Sequence, residues 1–507
     1  MNKGIMINID DTHFLYSRTA KNIEVNEAEL RRFVHQYKPT QVTDLIFSIA
    51  GRIVCYPSKV GTSWVDKYLQ KEENGLPVDY SNTYARLSYE LYMEKGLDPF
   101  AIWLDECRKT GVRGWASLRM NDCHDNDLPA SVLHPDFYHE HPEYRRVTHR
   151  PVDGYFDRCF DYAEPAVRER ELKLIEEVLE RYDMDGIELD WQREAFCFRP
   201  GGEYEGIEIL NEFTREVKQR VNAASEKRGH KILLSARVPA DPGYALEMGL
   251  DAATWAREGL IDVLIPTPRW RTCDHDMPIG LWKRLLAGTD TVLAPGIEVL
   301  MQPGACRRFF ATRDQVMALA EQHFALGGDR TYLFNYFDDP KPEDTYWKGS
   351  VAHPDMGVKK EHQDVLLRTI GDPELTKHQP RSHVVAGHDI MPDWRTGEKE
   401  LPFTCTAGKY KQIRLCAGRI DGNAKVTLKL GVAEGKAEEL EIWIDRKKAA
   451  LTGETEIRPA YFDHAAYAFA AENDGRLPVY LLMEITTTGE PVTIDYIEIY
   501  VEPVNQA

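Results

Sequence analysis

Residues 4–10 read GIMINID. Ile5, Ile7 and Ile9 fall on one face, and Met6, Asn8 and Asp10 on the other, which is the period of a strand. The next segment, NEAELRRFVHQY, puts Leu30, Phe33, Val34 and Tyr37 at helical spacing behind an Asn26 cap. VTDLIFSIAG reads as a second strand, PFAIWLDECRKTG as a helix and VRGWASLRM as a third strand. EPAVRERELKLIEEVLERYD is the clearest helix. Pro165 suits its first turn, and Leu174, Ile175, Val178, Leu179 and Tyr182 form its apolar stripe. MDGIELDW, KILLSARVP, IDVLIPTP, TVLAPGIEVL and RTYLFNYF complete about eight strands, each followed by a helix or a long loop. This alternation predicts a (β/α)8 TIM-like barrel over residues 1–375. A doubly wound open sheet is the competing arrangement. Beyond residue 375 the period changes. AKVTLKLGV, EELEIWID, PVYLLMEITTTG and VTIDYIEIYVE are short alternating strands separated by turn residues. Residues 376–507 therefore read as an all-β sandwich appended to the barrel.

Composition narrows the function. The 507 residues, 43% of them hydrophobic, suffice for a large core. A formal charge of −19 argues against general nucleic-acid or anionic-membrane binding. It leaves room for a small anion held by a few arginines. Nine scattered cysteines, without a CxxC pair, read as reduced residues. The opening MNKGIMINIDD turns acidic too soon for a signal peptide, and no stretch approaches a membrane span. A cytoplasmic protein is the expectation, unless a leader has been removed.

In a barrel of this kind chemistry collects at the C-terminal ends of the strands. Strand one ends in Asn8, Asp10, Asp11 and His13. Strand three ends in Arg119, Asn121, Asp122 and His124. Strand four carries Glu188, Asp190 and Arg193, and strand five carries Ser235 and Arg237. Strand seven leads to Glu298, and strand eight carries Asn335, Tyr336 and Asp338. If Ile187 and Leu189 face the outer helices, Glu188 and Asp190 share the inward face. Buried carboxylates need partners, and Arg119, Arg193 and Arg237 are available.

Each residue also has a plainer reading. Glu188 and Asp190 fit a structural ion-pair layer, with Arg237 neutralising Asp190. Asp10 fits a helix-side cap. His124 fits a loop histidine bonded to Asp122 or Asp125. The loop of about 121–162 holds five histidines, including the HEH of 139–141. Without an HExxH or carboxylate frame this is a weak metal signal, and neither metal nor cofactor is expected. Its aromatics Phe137, Tyr138 and Tyr144 fit either a wall for a sugar ring or loop packing. No GxSxG elbow, P-loop or strand-turn-helix GxGxxG is present.

Taken together, MINIDD, RMNDCHD, YDMDGIELDWQR and LFNYF resemble a wider group of bacterial barrel glycoside hydrolases, and within it the sialidases of glycoside hydrolase family 156. The SxDxGxxW boxes of propeller sialidases are missing. The resemblance implies an inverting exo-α-sialidase acting on sialylated glycans. It makes Asp10 the general base and His124 the general acid, with Asp11 and His134 as rivals. It also implies that Arg119 and Arg193 bind the substrate carboxylate and that Asn335 contacts the sugar. Asn8, Asp190, Arg237 and His134 are further substrate-binding candidates; the role of Glu194 is open, as is a homodimer.

Most glycosidases use two carboxyl groups. A sialoside carries its own carboxylate on the anomeric carbon, so an imidazolium acid is stabilised there rather than repelled. Asp122 or Asp125 nearby is expected to raise its pKa further. Inversion needs acid and base on opposite faces, roughly 6.5–9.5 Å apart in two-carboxylate enzymes. A tyrosine nucleophile, Tyr336 or Tyr16, would instead give retention. Two other classes stay open: a glycosidase for another acidic or neutral sugar using Glu188, Asp190 or Glu298, and a non-hydrolytic glycan-binding protein.

Overall fold

The structure is a computed structural model. It describes residues 3–20, 22–74, 80–269, 273–298, 300–303, 309–335, 365–387, 391–395, 400–421, 424–457, 465–471, 476–477 and 479–503. Tyr336 and Asp338 lie outside the described residues, as do the side chains of Asp11, His13 and Tyr16.

The strands are β1 Ile5–Asp10, β2 Val42–Ala50, β3 Arg113–Arg119, β4 Gly186–Asp190, β5 Leu233–Pro239, β6 Val263–Thr267, β7 Val292–Leu293, β8 Gly296–Ile297, β9 Leu300–Met301, β10 Phe309–Phe310 and β11 Thr331–Leu333. One parallel sheet runs β7-β6-β5-β4-β3-β2-β1-β11-β8. Segments β7 and β8 are two halves of the expected seventh strand. Its first half pairs with β6 and its second with β11, which closes the barrel. The break falls at Ala294–Pro295, where proline has no N–H to give the ladder. The doubly wound alternative is thereby replaced by the barrel. Strands β9 and β10 form a separate antiparallel pair beyond it.

The alternating pattern sets both cores. Ile5, Ile7, Ile9, Ile187 and Leu189 join the layer between strands and helices. Met6, Ile46, Trp115, Ile265, Tyr332 and Phe334 form the apolar part of the interior. The helices begin and end where the sequence signals them. Asn26 accepts from the Glu29 N–H at 3.0 Å, Pro99 and Pro165 occupy first turns, and Gly111 closes its helix at φ 79°.

The end opposite the mouth is fixed by one buried carboxylate. Asp44 accepts from Arg113 (2.6 and 2.8 Å), Arg330 (2.6 Å) and the Trp115 indole (2.9 Å). Burial alone would raise this carboxyl, but Arg113 and Arg330 outweigh it and hold it low.

The C-terminal region is a β-sandwich. One antiparallel sheet centres on the strand Val492–Glu502, flanked by Arg381–Val384 and Lys425–Glu434. The other pairs Tyr480–Thr487 with Lys411–Cys416 and Leu440–Ile444. Their inner faces share an apolar core including Leu415, Leu428, Leu430, Met483, Ile485, Ile497 and Ile499. Arg419 secures this region to the barrel by donating to the buried Glu321 at 2.8 and 2.9 Å. The eight cysteines among the described residues are free and buried, and no helix there is long and apolar enough to cross a membrane.

Candidate active site

Strand register stacks the polar interior in layers. Ser117, Glu188 and Ser235 are neighbours across β3, β4 and β5; Arg119, Asp190 and Arg237 form the next layer toward the C-terminal mouth. In the lower layer Glu188 is fully buried. It accepts from Ser117 Oγ (2.7 Å), Asn8 Nδ2 (3.2 Å) and Tyr332 OH (2.9 Å). Burial, with Asp190 adding, pushes its carboxyl up to about 7. In the upper layer Arg237 bridges two carboxylates, Asp190 at 2.7 Å and Glu298 at 3.0 Å. Its guanidinium lies 3.4 Å from the Phe334 ring centroid. Asp190 also accepts the Arg193 backbone N–H at 3.0 Å. Asn8, Asp190 and Arg237 are at most 1% exposed, so they form the floor beneath the mouth rather than its surface. Asp190 and Glu298 share an ion-pair layer with Arg237, whereas Glu188, which the plainer reading put in that layer, is bonded to Ser117, Asn8 and Tyr332.

Above the floor Asp10, Arg119 and His124 are partly exposed, while Asp122, Arg193 and Asn335 stay buried beside them. Arg119 Nη2 donates to Asp10 Oδ2 at 2.9 Å and lies 3.4 Å from Asn335 Oδ1. Its Nη1 is 3.7 Å from Asp122 Oδ2. Asp122 accepts from the His124 backbone N–H at 3.1 Å and makes a short contact with His124 Nδ1. Arg193 Nη2 sits 2.6 Å from His124 Nε2. The side chains of Asp10 and His124 are 18% and 31% exposed, so both reach the mouth. Asn335 stands at φ 45°, a left-handed conformation that asparagine tolerates. Asp10, Arg119, Asp122, His124, Arg193 and Asn335 thus form one connected cluster from β1, β3, β4 and β11.

The protonation pattern follows from the donors. A guanidinium can only donate, so His124 Nε2 is the acceptor and the proton resides on Nδ1 facing Asp122. The expected rise of the His124 pKa is corrected by the structure: burial is the largest influence and lowers it, and with Arg193 and Arg119 adding to the fall it outweighs the opposing pull of Asp122. Burial would raise Asp122, but His124, Arg193 and Arg119 hold it well below the usual range.

The rival acid is placed differently. His134 is fully buried, its ring 4.3 Å from Tyr138, and burial with Arg52 pushes it down to about 4. The loop aromatics pack the loop onto the barrel. Tyr138 is buried between the guanidiniums of Arg52 (4.4 Å) and Arg145 (3.7 Å), Phe137 meets Phe160 at 5.5 Å, and Tyr144 stacks on His141. Asn121 staples both ends of the loop by donating to the Phe160 carbonyl (3.0 Å) and the Phe196 carbonyl (2.9 Å).

Three site residues escaped the sequence reading. Arg52 follows β2 and donates to the Asp122 carbonyl, fixing the backbone before His124. Arg269 follows β6 and lies over the Phe156 ring at 4.6 Å. Tyr155 is partly exposed beside Phe156. The strand-end rule applied to strands two and six would have flagged both arginines.

No family model and no curated protein matches the chain. Among solved structures it is similar to a GH138 enzyme targeting pectin rhamnogalacturonan II (12% identity, TM-score 0.37, 68% of this chain and 35% of that one). It is also similar to the PgaB glycoside hydrolase domain from Bordetella bronchiseptica (12%, 0.38, 67% and 95%) and an alpha-amylase from Geobacillus thermoleovorans (10%, 0.40, 96% and 99%). The chain thus spans about a third of the first of these proteins. Such scores assign neither substrate nor reaction.

Proposed function

We propose that the protein is a glycoside hydrolase for an anionic sugar, an exo-α-sialidase working with inversion. The observation that carries this reading is the connected cluster of Asp10, Arg119, Asp122, His124 and Arg193 at one barrel mouth. Two guanidiniums there flank an acid and an imidazole, as a sugar bearing a carboxylate on its anomeric carbon requires.

In this reading the substrate carboxylate draws Arg119 from Asp10 and Arg193 from His124. Asp10, relieved of Arg119, is the base that removes a proton from the water that attacks the anomeric carbon. His124 loses a neighbouring cation and gains an anion, and both changes raise its pKa. Its Nε2 takes up a proton and delivers it to the leaving glycosidic oxygen as that bond breaks. Asp122 holds the ring through Nδ1 and stabilises its charged form. The products are the free sugar, inverted at the anomeric carbon, and the alcohol.

The second reading, a glycosidase of another sugar built on Glu188 and Asp190, needs a sugar to reach the floor, where both carboxylates are buried and bonded. Proton NMR of early product from an aryl α-sialoside tests the proposal. The first anomer released is expected to be opposite to that of the substrate. Retention would overturn the Asp10/His124 assignment, and turnover of only neutral glycosides in a small panel would overturn the substrate.

A further inference from the structure

Glu194 is not used by the mechanism above, yet it follows Arg193 directly in the chain. It is 2% exposed, and its Oε2 has no hydrogen-bond partner. A buried carboxylate in that state is costly when ionised. Its surroundings come from four elements. Arg193 lies beside it after β4, Arg269 after β6 and Arg52 after β2, while the loop after β3 brings Asp122, Cys123 and Tyr155. Two residues further along the chain Phe196 packs on Phe156 at 4.2 Å, and Arg269 lies over Phe156.

We propose that Glu194 is a positioning residue that sets the net charge of the arginine cluster, so that its proton governs how tightly the mouth holds an anionic sugar. With the proton on, Glu194 takes nothing from the positive charge that Arg193 offers a substrate carboxylate. With the proton off, an anion sits behind Arg193 and repels that carboxylate. Burial, with Asp122 adding, pushes the Glu194 carboxyl up to about 7 even though Arg193, Arg269 and Arg52 pull the other way. The switch therefore falls above the range where His124 titrates, since His124 lies below its ordinary value. Cys123 and Tyr155, both raised by burial, stay neutral through that window.

The inference rests on the anionic-sugar reading, so two measurements separate them. Difference infrared spectra between pH 5.5 and 8.5 report the proton itself. Glu188 also titrates near neutrality, so the expected result is a protonated carboxyl signal there that loses one component in Glu194→Gln and the other in Glu188→Gln. If no component belongs to Glu194, the proposal falls whatever the substrate is. Calorimetric binding of N-acetylneuraminic acid between pH 6.5 and 8.5 reports the coupling. Wild-type affinity is expected to fall about five- to tenfold over this range. Glu194→Gln should bind at pH 8.5 as wild type does at pH 6.5. A variant that follows the wild-type pH dependence, or binds weakly at every pH, overturns the coupling. Absence of binding to wild type at any pH overturns the sialoside reading and the coupling with it, while the infrared band still decides where the proton resides.

Discussion

The Arg119 guanidinium reaches past β2 to donate to the Asp10 carboxylate at 2.9 Å, although the two residues lie on strands that are not neighbours. The same guanidinium is 3.4 Å from Asn335 and 3.7 Å from Asp122. Arg119 is therefore the hub through which residues from β1, β3 and β11 meet. An arginine already engaged by a carboxylate is a weaker receptor for a second one, so in the proposed reaction Asp10 would compete with the substrate carboxylate for Arg119.

That competition separates binding from chemistry. Asp10→Asn is expected to lower kcat about 10²–10⁴-fold, the usual cost of losing a proton-transfer partner. KM for a sialoside should stay level or fall, because Arg119 is released. Arg119→Ala should raise KM steeply for a carboxylated sugar and leave a neutral glycoside nearly unaffected. Steady-state kinetics on paired aryl glycosides check both; a raised KM in Asp10→Asn would contradict the competition.

The His124 shift gives a pH profile. In the free enzyme His124 is held below its ordinary value by burial and by Arg193. An acid must carry its proton, so kcat/KM is expected to decline as pH rises through a value below 6.5. Asp122 is the group that opposes the fall, so Asp122→Asn should move that limb to still lower pH. The kcat limb, which reports the substrate complex, should lie higher than the kcat/KM limb. A basic limb of kcat/KM above 7 would exclude His124 as the acid of the free enzyme.

Much of this site follows from strand parity and strand ends. Alternation in GIMINID and GIELD gives Asn8, Asp10, Glu188 and Asp190 one common side, and the strand-end rule singles out Arg119 and His124. Depth is what parity leaves out. Glu188 and Asp10 share an inward face, yet one lies in the floor and the other at the rim, a difference set by register and by what covers each layer. The sign of the His124 shift is also illegible in the sequence, because it depends first on burial of the ring and then on Arg193, 69 residues away, reaching Nε2 at 2.6 Å. In the seventh strand the apolar run concealed the break at Pro295.

Glu188 predicts a stability effect with a definite sign. Its folded-state pKa is raised from 4.5 to about 7. Between these values the folded protein binds the proton more tightly than the unfolded chain, so stability falls as pH rises from about 4.5 to 7 and stays lower above it. Glu194, raised to about 7 as well, adds in the same direction. Buried histidines such as His134 act in the opposite direction over this window, so the test is a difference: by scanning calorimetry wild-type Tm should fall with rising pH relative to Glu188→Gln, and more so relative to the Glu188→Gln, Glu194→Gln double variant. An equal slope in all three would mean that both carboxyls ionise freely in the fold.

Arg237 makes the largest demand on the barrel floor. It is fully buried and supplies the positive charge between Asp190 and Glu298. Removing one partner of a buried ion cluster leaves uncompensated charge, at a cost of about 3–5 kcal/mol. Arg237→Met keeps most of the side-chain volume against Phe334 but not the charge, so it should lower Tm by several degrees. Glu298→Gln in that background should recover part of the loss, because it removes one of the two stranded carboxylates. Activity should recover less than stability, since Asp190 also holds the Arg193 backbone at 3.0 Å and would still lack its cation. Thermal unfolding and kinetics of the single and double variants check this together. A double variant less stable than Arg237→Met alone would show that Glu298 is held by other partners and that Arg237 does not act as the bridge.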